Sequence, residues 1–215
     1  MQPDARSIRS LRRRDPLLAA AMDRTPAFPG FPGGERLRMS RYESIAKAIV
    51  FQQLAGKAAS TIWGRVRALG SNGRLPAPPA LLELSDEELR GAGLSRAKLA
   101  ALRDLAERLD DGRLKLRSIQ RLDDDEIIET LVQVRGIGPW TAQMFLIFQL
   151  GRLDVMPSAD LGVQEGLRIL DGLAERPGPA ELQARAEAWG PLRSVASWHL
   201  WRLTELPKET TGGLD

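Results

Sequence analysis

Two glycines separated by one residue, Gly136 and Gly138, are followed at once by Pro139 and lie between two apolar stretches of helical spacing. Ile127, Ile128, Leu131 and Val132 precede the pair, and Met144, Phe145, Ile147 and Phe148 follow it. Glycine tolerates positive φ, so both positions suit a tight turn, and Pro139 suits the first position of a helix, where its missing N–H costs nothing. The stretch Val134–Ala142 therefore predicts helix, short hairpin, helix. A helix starting there directs unpaired N–H groups and the positive end of its dipole outward, which makes a phosphate site without side-chain charge.

The rest of the chain is also helical in pattern. Tyr42, Ile45, Ala46, Ile49 and Val50 recur at the helix period, as do Ile62, Val66 and Leu69. Ser85 and Glu88 form a capping box, Ser95 caps a run through Leu99, Leu102, Leu105 and Leu109 to Gly112, and Asp123–Glu126 put acids at the start of the helix entering the hairpin. Later helices carry Leu161 to Leu170, Pro179 to Trp189, and Leu192 to about residue 206. Asp15-Pro16 opens a short helix, Pro26 to Gly34 reads as a loop, and Gly70 to Pro79 as a dividing loop.

No useful stretch has the strand period, so the expected fold is all-α with about ten helices. Residues 1–40 are expected to pack on the C-terminal helices with the first ten or so mobile. Residues 41–134 form one helical subdomain, 135–206 carry the hairpin and the helices after it, and 207–215 are a disordered tail.

Composition removes several kinds of chemistry. The chain of 215 residues has no cysteine, hence no disulfide, zinc–thiolate site or cysteine-ligated iron–sulfur cluster, and its single His199 cannot make a histidine metal site alone. The formal charge of +3 favours nucleic acid only if the positive groups gather on one face. No apolar run is long enough to span a bilayer, and the segment holding Arg6, Arg9, Arg12, Arg13 and Arg14 lacks the apolar core of a signal peptide. The expected location is cytoplasmic, nucleoid-associated in a bacterium, with no membrane partner.

Asp160 is the pivotal carboxylate. It reads either as the N-cap of the following helix, worth about 1 kcal/mol, or as a catalytic carboxylate held near a helix N-terminus by the same geometry. The corner Phe51-Gln52-Gln53-Leu54 has two adjacent amides and an apolar residue where a plain turn would be expected.

These features together resemble the helix-hairpin-helix, Gly/Pro-rich loop, aspartate (HhH-GPD) superfamily of DNA glycosylases. The resemblance is to the alkylation-repair branch, the 3-methyladenine DNA glycosylase II type. It rests on Arg135-Gly136-Ile137-Gly138, on Trp140-Thr141-Ala142, and on an aspartate twenty residues beyond Trp140. Further matches are Arg14-Asp15-Pro16, Gln52-Gln53-Leu54 with Lys57-Ala58-Ala59, Gly93-Leu94-Ser95 with Lys98, and Pro191 with Arg193-Ser194 and Trp201.

The resemblance implies two interdigitated helical subdomains with a cleft between them, and a monomer that acts on double-stranded DNA containing alkylated bases. It implies that Asp160 acts on the N-glycosidic bond. Trp140 stands where strand-cutting branches carry a lysine nucleophile, which implies a monofunctional enzyme that leaves an abasic site. Trp140 and Trp201 match residues that stack on the extruded base, with Tyr42 a weaker candidate and Met144 standing where relatives carry an aromatic. Trp63, Trp189 and Trp198 read as packing residues.

Leu54 with Gln53 matches the wedge that fills the space of the flipped nucleotide, the competing reading being a buried leucine. Backbone near Gly136 and Gly138, with Arg135, Lys57, Arg96 and Lys98, could meet phosphates. The carbonyls of Val132, Val134 and Ile137 match ligands of a structural Na+ or K+, and no cofactor is required. Longer bacterial members carry an N-terminal β domain ahead of the helical part, whereas here the helical signature begins almost at once, which implies a more open base pocket. Two other readings compete: a helix-hairpin-helix protein that only holds DNA, and a glycosylase for other damaged bases.

Overall fold

The structure, a computed structural model, describes residues 1–32 and 39–207. The described residues contain twelve α-helices and no strand, with short 3-10 and π segments between some of them. They are α1 Ala5–Arg14, α2 Pro16–Arg24, α3 Arg41–Phe51, α4 Gly56–Ala68, α5 Pro78–Glu83, α6 Asp86–Gly91, α7 Arg96–Asp110, α8 Asp124–Val132, α9 Pro139–Phe145, α10 Leu161–Leu170, α11 Pro179–Arg185 and α12 Arg193–Leu203.

Most starts are written in the local sequence. Asp4, Asp15, Ser40, Ser85, Ser95, Asp123 and Asp160 each accept a backbone N–H of the following first turn, satisfying a donor that the helix itself leaves open. Three of these caps are completed by Glu43, Glu88 and Glu126 reaching back to the cap N–H. The segment expected to be a mobile basic end is instead helical: α1 is capped by Asp4, and Leu11 is fully buried. Pro179 to Trp189 is a short α-helix followed by a 3-10 turn, Ala186–Trp189, rather than one helix.

The chain divides into two compact units, residues 1–31 with 151–215, and residues 32–150. Two expected boundaries therefore shift. The Gly70–Pro79 loop lies inside the second unit, and so does the hairpin, which the sequence grouped with Asp160 and the helices after it. The reason is packing: α9 lies against α8 and α3 before the chain leaves through the π-helical segment Leu146–Leu150. The tail from residue 208 and the end of the loop at Gly33–Gly34 lie outside the described residues.

In the unit of residues 1–31 and 151–215, α1, α2, α10, α11 and α12 enclose Leu11, Leu18, Val163, Leu167, Trp189, Val195 and Leu200. Buried Asp15 caps α2, accepts the Trp189 indole N–H at 2.6 Å and pairs with Arg185 at 2.7 Å. Burial alone would raise the Asp15 pKa, but these three partners outweigh it and hold the carboxyl below its ordinary value. Trp198 meets Phe28 and Phe31 edge-to-face, as a packing role requires.

The contact of α10 with α12 is unusually close. A Cβ on Gly166 would lie 2.3 Å from the Leu200 carbonyl oxygen, so only glycine permits this approach.

In the unit of residues 32–150, α3 packs on α4 and α7, and α5 on α7. Ile45, Ile49, Leu102, Leu105, Leu131 and Leu146 are buried there, as is Trp63.

Candidate functional site

The link between α3 and α4 is an exposed, strained corner. Gln53 has φ of +55°, a left-handed conformation that costs a residue with a Cβ about 1 kcal/mol, and Leu54 beside it is 38% exposed. Leaving a leucine in water forgoes about 2 kcal/mol of burial. A fold that accepts both costs at adjacent residues presents the leucine outward, which fits a wedge and discards the reading of Leu54 as a core residue.

The hairpin follows α8. The Val134 N–H donates to Leu131 and the Ile137 N–H to Val134, each at 3.0 Å, and Val134 and Ile137 are buried while Arg135, Gly136 and Gly138 are exposed. Only one of the two expected positive φ values is present. Gly136 has φ of +78°, whereas Gly138 is extended at −99° and serves as the N-cap of α9, with Pro139 at its first position. Trp140 follows at the next position and is 44% exposed, an unusual setting for a large aromatic.

Asp160 caps α10, and its Oδ1 accepts two N–H donors, the Val163 amide at 2.9 Å and the Trp201 indole at 2.8 Å. The cap and the aromatic, 41 residues apart, are joined by the close packing of α10 on α12. Gly162 makes room for the indole: a Cβ there would stand 3.0 Å from Trp201 Cδ1 and 3.1 Å from Asp160 Oδ1. Two donors and the positive end of α10 converge on the carboxylate, an arrangement that complements an anion. The cap reading and the functional reading of Asp160 describe one geometry.

Other expected residues have different settings. The Lys98 ammonium donates to the Val50 carbonyl at 2.6 Å, at the end of α3, and burial pushes its pKa below the ordinary lysine value. Lys98 therefore holds the corner, a role the sequence does not suggest. The Tyr42 hydroxyl donates to the Pro76 carbonyl at 3.1 Å, and burial of the ring raises its pKa.

Met144 lines a small pocket with Ser44, Ile45, Ala48, Leu131, Ile137, Thr141 and Phe145. Its volume of about 30 Å³ is room for a water rather than a purine. Lys57 is exposed in the first turn of α4 and Arg96 in the first turn of α7. Among the described residues no cluster of three or more His, Cys, Asp or Glu could hold a metal ion, and no helix is long and apolar enough to cross a membrane.

Two contributors, Asp104 and Gly162, were not singled out from sequence, and Gln52 was marked there only as part of the corner. Gln52 Nε2 donates to the Gly136 carbonyl at 2.9 Å, Asp104 Oδ2 accepts the Arg135 amide at 2.7 Å, and Gly162 admits Trp201. Gly162 and Gly166 had a signal, two glycines one turn apart on a helix, where glycine is otherwise unfavourable. Nothing in sequence marks Asp104, which reads as one more charge on a helix.

Comparison with known proteins gives a consistent result. A family model described as HhH-GPD superfamily base excision DNA repair protein matches residues 46–191. DNA-3-methyladenine glycosylase 1 of Schizosaccharomyces pombe is 36% identical over 170 residues, 79% of this chain and 75% of that protein. The S. pombe 3-methyladenine DNA glycosylase solved in complex with abasic DNA superposes with a TM-score of 0.82 at 31% identity, covering 94% of this chain and 98% of that one. A DNA-3-methyladenine glycosidase from Bacillus halodurans gives a TM-score of 0.79 at 35% identity, covering 94% and 90%.

Proposed function

Because the chain belongs to the HhH-GPD superfamily of base excision DNA repair proteins, we propose that it is a monofunctional DNA N-glycosylase. It hydrolyses the N-glycosidic bond of alkylated, cationic purines such as 3-methyladenine and 7-methylguanine in double-stranded DNA, acting as a monomer. The observation that carries this reading is the Asp160 carboxylate, capping α10 and holding the Trp201 indole. The Asp15–Trp189 pair makes the same two bonds but is buried, whereas Asp160 and Trp201 are only half-buried and reach the surface.

The chemistry suits a single carboxylate. A purine alkylated on a ring nitrogen carries positive charge, so the C1′–N bond can break with its electron pair leaving on the base, which departs neutral. What needs help is the sugar, which develops oxocarbenium character, and the water that adds to C1′. An ionised Asp160 stabilises the first and orients the second, and the water's proton passes to the carboxylate or to solvent. Trp201, beside Asp160, supplies a π face to which a cationic base is drawn more strongly than a neutral one, and the exposed Trp140 of the hairpin helix is a second aromatic suited to stacking on a base. Leu54 fills the stack that the extruded nucleotide vacates, and the hairpin backbone holds phosphate.

No cofactor is required, since water is the second reactant. A structural Na+ or K+ at the hairpin fits the chemistry of the Val132, Val134 and Ile137 carbonyls, because Val132 ends α8 and such cations take oxygen donors at a helix's negative end.

The test is release of bases from methylated duplex DNA, identified by chromatography, for the wild-type protein and for Asp160→Asn. The wild-type protein is expected to release methylated purines, and the variant to bind DNA while releasing almost none. Near-normal release by the variant removes Asp160 from the chemistry, and no release by the wild type promotes the binding-only reading.

A further inference from the structure

The wedge corner and the hairpin are separated by more than eighty residues, yet three contacts tie them together within one unit. Gln52 reaches from the end of α3 to the Gly136 carbonyl at 2.9 Å. From points nearly two turns apart on α7, Lys98 holds the Val50 carbonyl at 2.6 Å and Asp104 holds the Arg135 amide at 2.7 Å. Between them Ala101 lies under Gly136, where an added Cβ would be 3.4 Å from its own. Asp104 is itself steadied by Arg108 at 2.9 Å. Lys98 and Asp104 thus fix the corner and the hairpin separately to α7, and Gln52 joins one directly to the other.

We propose that Gln52 is a positioning residue that couples the Leu54 wedge to the hairpin, so that gripping the phosphate backbone and holding the duplex open are one rigid action. This rests on the glycosylase reading. The direct bond matters because Gln53, the next residue, is in a left-handed conformation that any loosening of the corner would let relax. A relaxed corner swings Leu54, and a wedge that is misplaced or floppy loses the insertion that offsets unstacking. Gln52 touches no reacting atom in this scheme. Its effect falls on substrates that must be opened and not on those already open.

The test uses the full chain and Gln52→Met, which keeps the side chain's length and removes the donor. Single-turnover base release is measured on one lesion in two settings, paired in a duplex and unpaired in a bulge. The expected result is a loss of roughly tenfold on the duplex, the scale of one hydrogen bond, with release from the bulge little changed. In parallel, 2-aminopurine beside the lesion reports unstacking as protein binds. The variant is expected to give a smaller fluorescence rise, and Gln52→Asn, too short to reach Gly136, to behave as Gln52→Met does.

Equal losses in duplex and bulge, or no loss in either, overturn the proposal, the first showing a general structural defect. If the wild-type protein releases no base at all, the glycosylase reading fails. The unstacking signal needs no bond cleavage, so an equal rise for wild type and variant then overturns the coupling by itself.

Discussion

The indole N–H of Trp201 donates to Oδ1 of Asp160 at 2.8 Å, so the proposed stacking residue also holds the proposed catalytic carboxylate. Trp201→Phe separates the two roles, since phenylalanine keeps a π face and removes the donor. Hydrogen bonds to charged groups are worth more than neutral ones, so the single-turnover rate is expected to fall by roughly tenfold or more, with DNA affinity little changed. An unchanged rate would show that the contact does not position the carboxylate.

Gly162 and Gly166 make opposite predictions from the same helix. A methyl at 162 meets the Trp201 ring edge at 3.0 Å and Asp160 at 3.1 Å, whereas one at 166 meets the Leu200 carbonyl at 2.3 Å. Gly162→Ala asks a side chain to move by tenths of an ångström and gains helix propensity of about 1 kcal/mol, so stability should stay near the wild type while base release falls towards that of Trp201→Phe. Gly166→Ala forces α10 and α12 backbones apart and should cost about 2 to 4 kcal/mol. Denaturant melts and release rates on both variants check the contrast, and a stable, inactive Gly166→Ala would contradict it.

His199 makes folding stability depend on pH. The Thr25 hydroxyl donates its one hydrogen to the Ala21 carbonyl at 2.8 Å, so at 2.7 Å it must accept from Nδ1–H of the neutral ring. Burial, helped by the Arg12 guanidinium, pushes this histidine down to about 4. The unfolded chain takes up a proton near the ordinary value of about 6.5 and the folded protein does not, so stability is present above that pH and is lost as pH falls towards about 4. The full effect is on the order of 3 kcal/mol. Urea melts between pH 7 and pH 4.5 should show this slope, and His199→Gln should flatten it.

Trp140 has no amine and cannot form a Schiff base with the sugar. Borohydride added during reaction with methylated DNA is expected to trap no covalent protein–DNA species, and abasic sites should accumulate uncut until base is added. A trapped adduct would require another amine at the sugar.

Sequence by itself determined the helical class and most helix starts, and it singled out Asp160, Trp201 and the hairpin as candidates. Those signals are local: Asp15-Pro16, Ser85 with Glu88, and the glycine pair ahead of Pro139 act through hydrogen bonds and φ limits within a few residues. Sequence also marked the Gln-Gln-Leu corner as odd without deciding whether Leu54 is wedge or core, because an apolar residue reads alike in either place. Tertiary structure showed that Leu54 is exposed at the corner, that Lys98 holds a carbonyl, that Gly138 is an extended cap, and that the hairpin belongs to the unit of α3 and α8. Each outcome depends on which surfaces meet. The contacts of Gln52 with Gly136 in one unit and of Trp201 with Asp160 in the other join residues 84 and 41 positions apart, and no local pattern encodes a hydrogen bond whose partner arrives only when the helices pack.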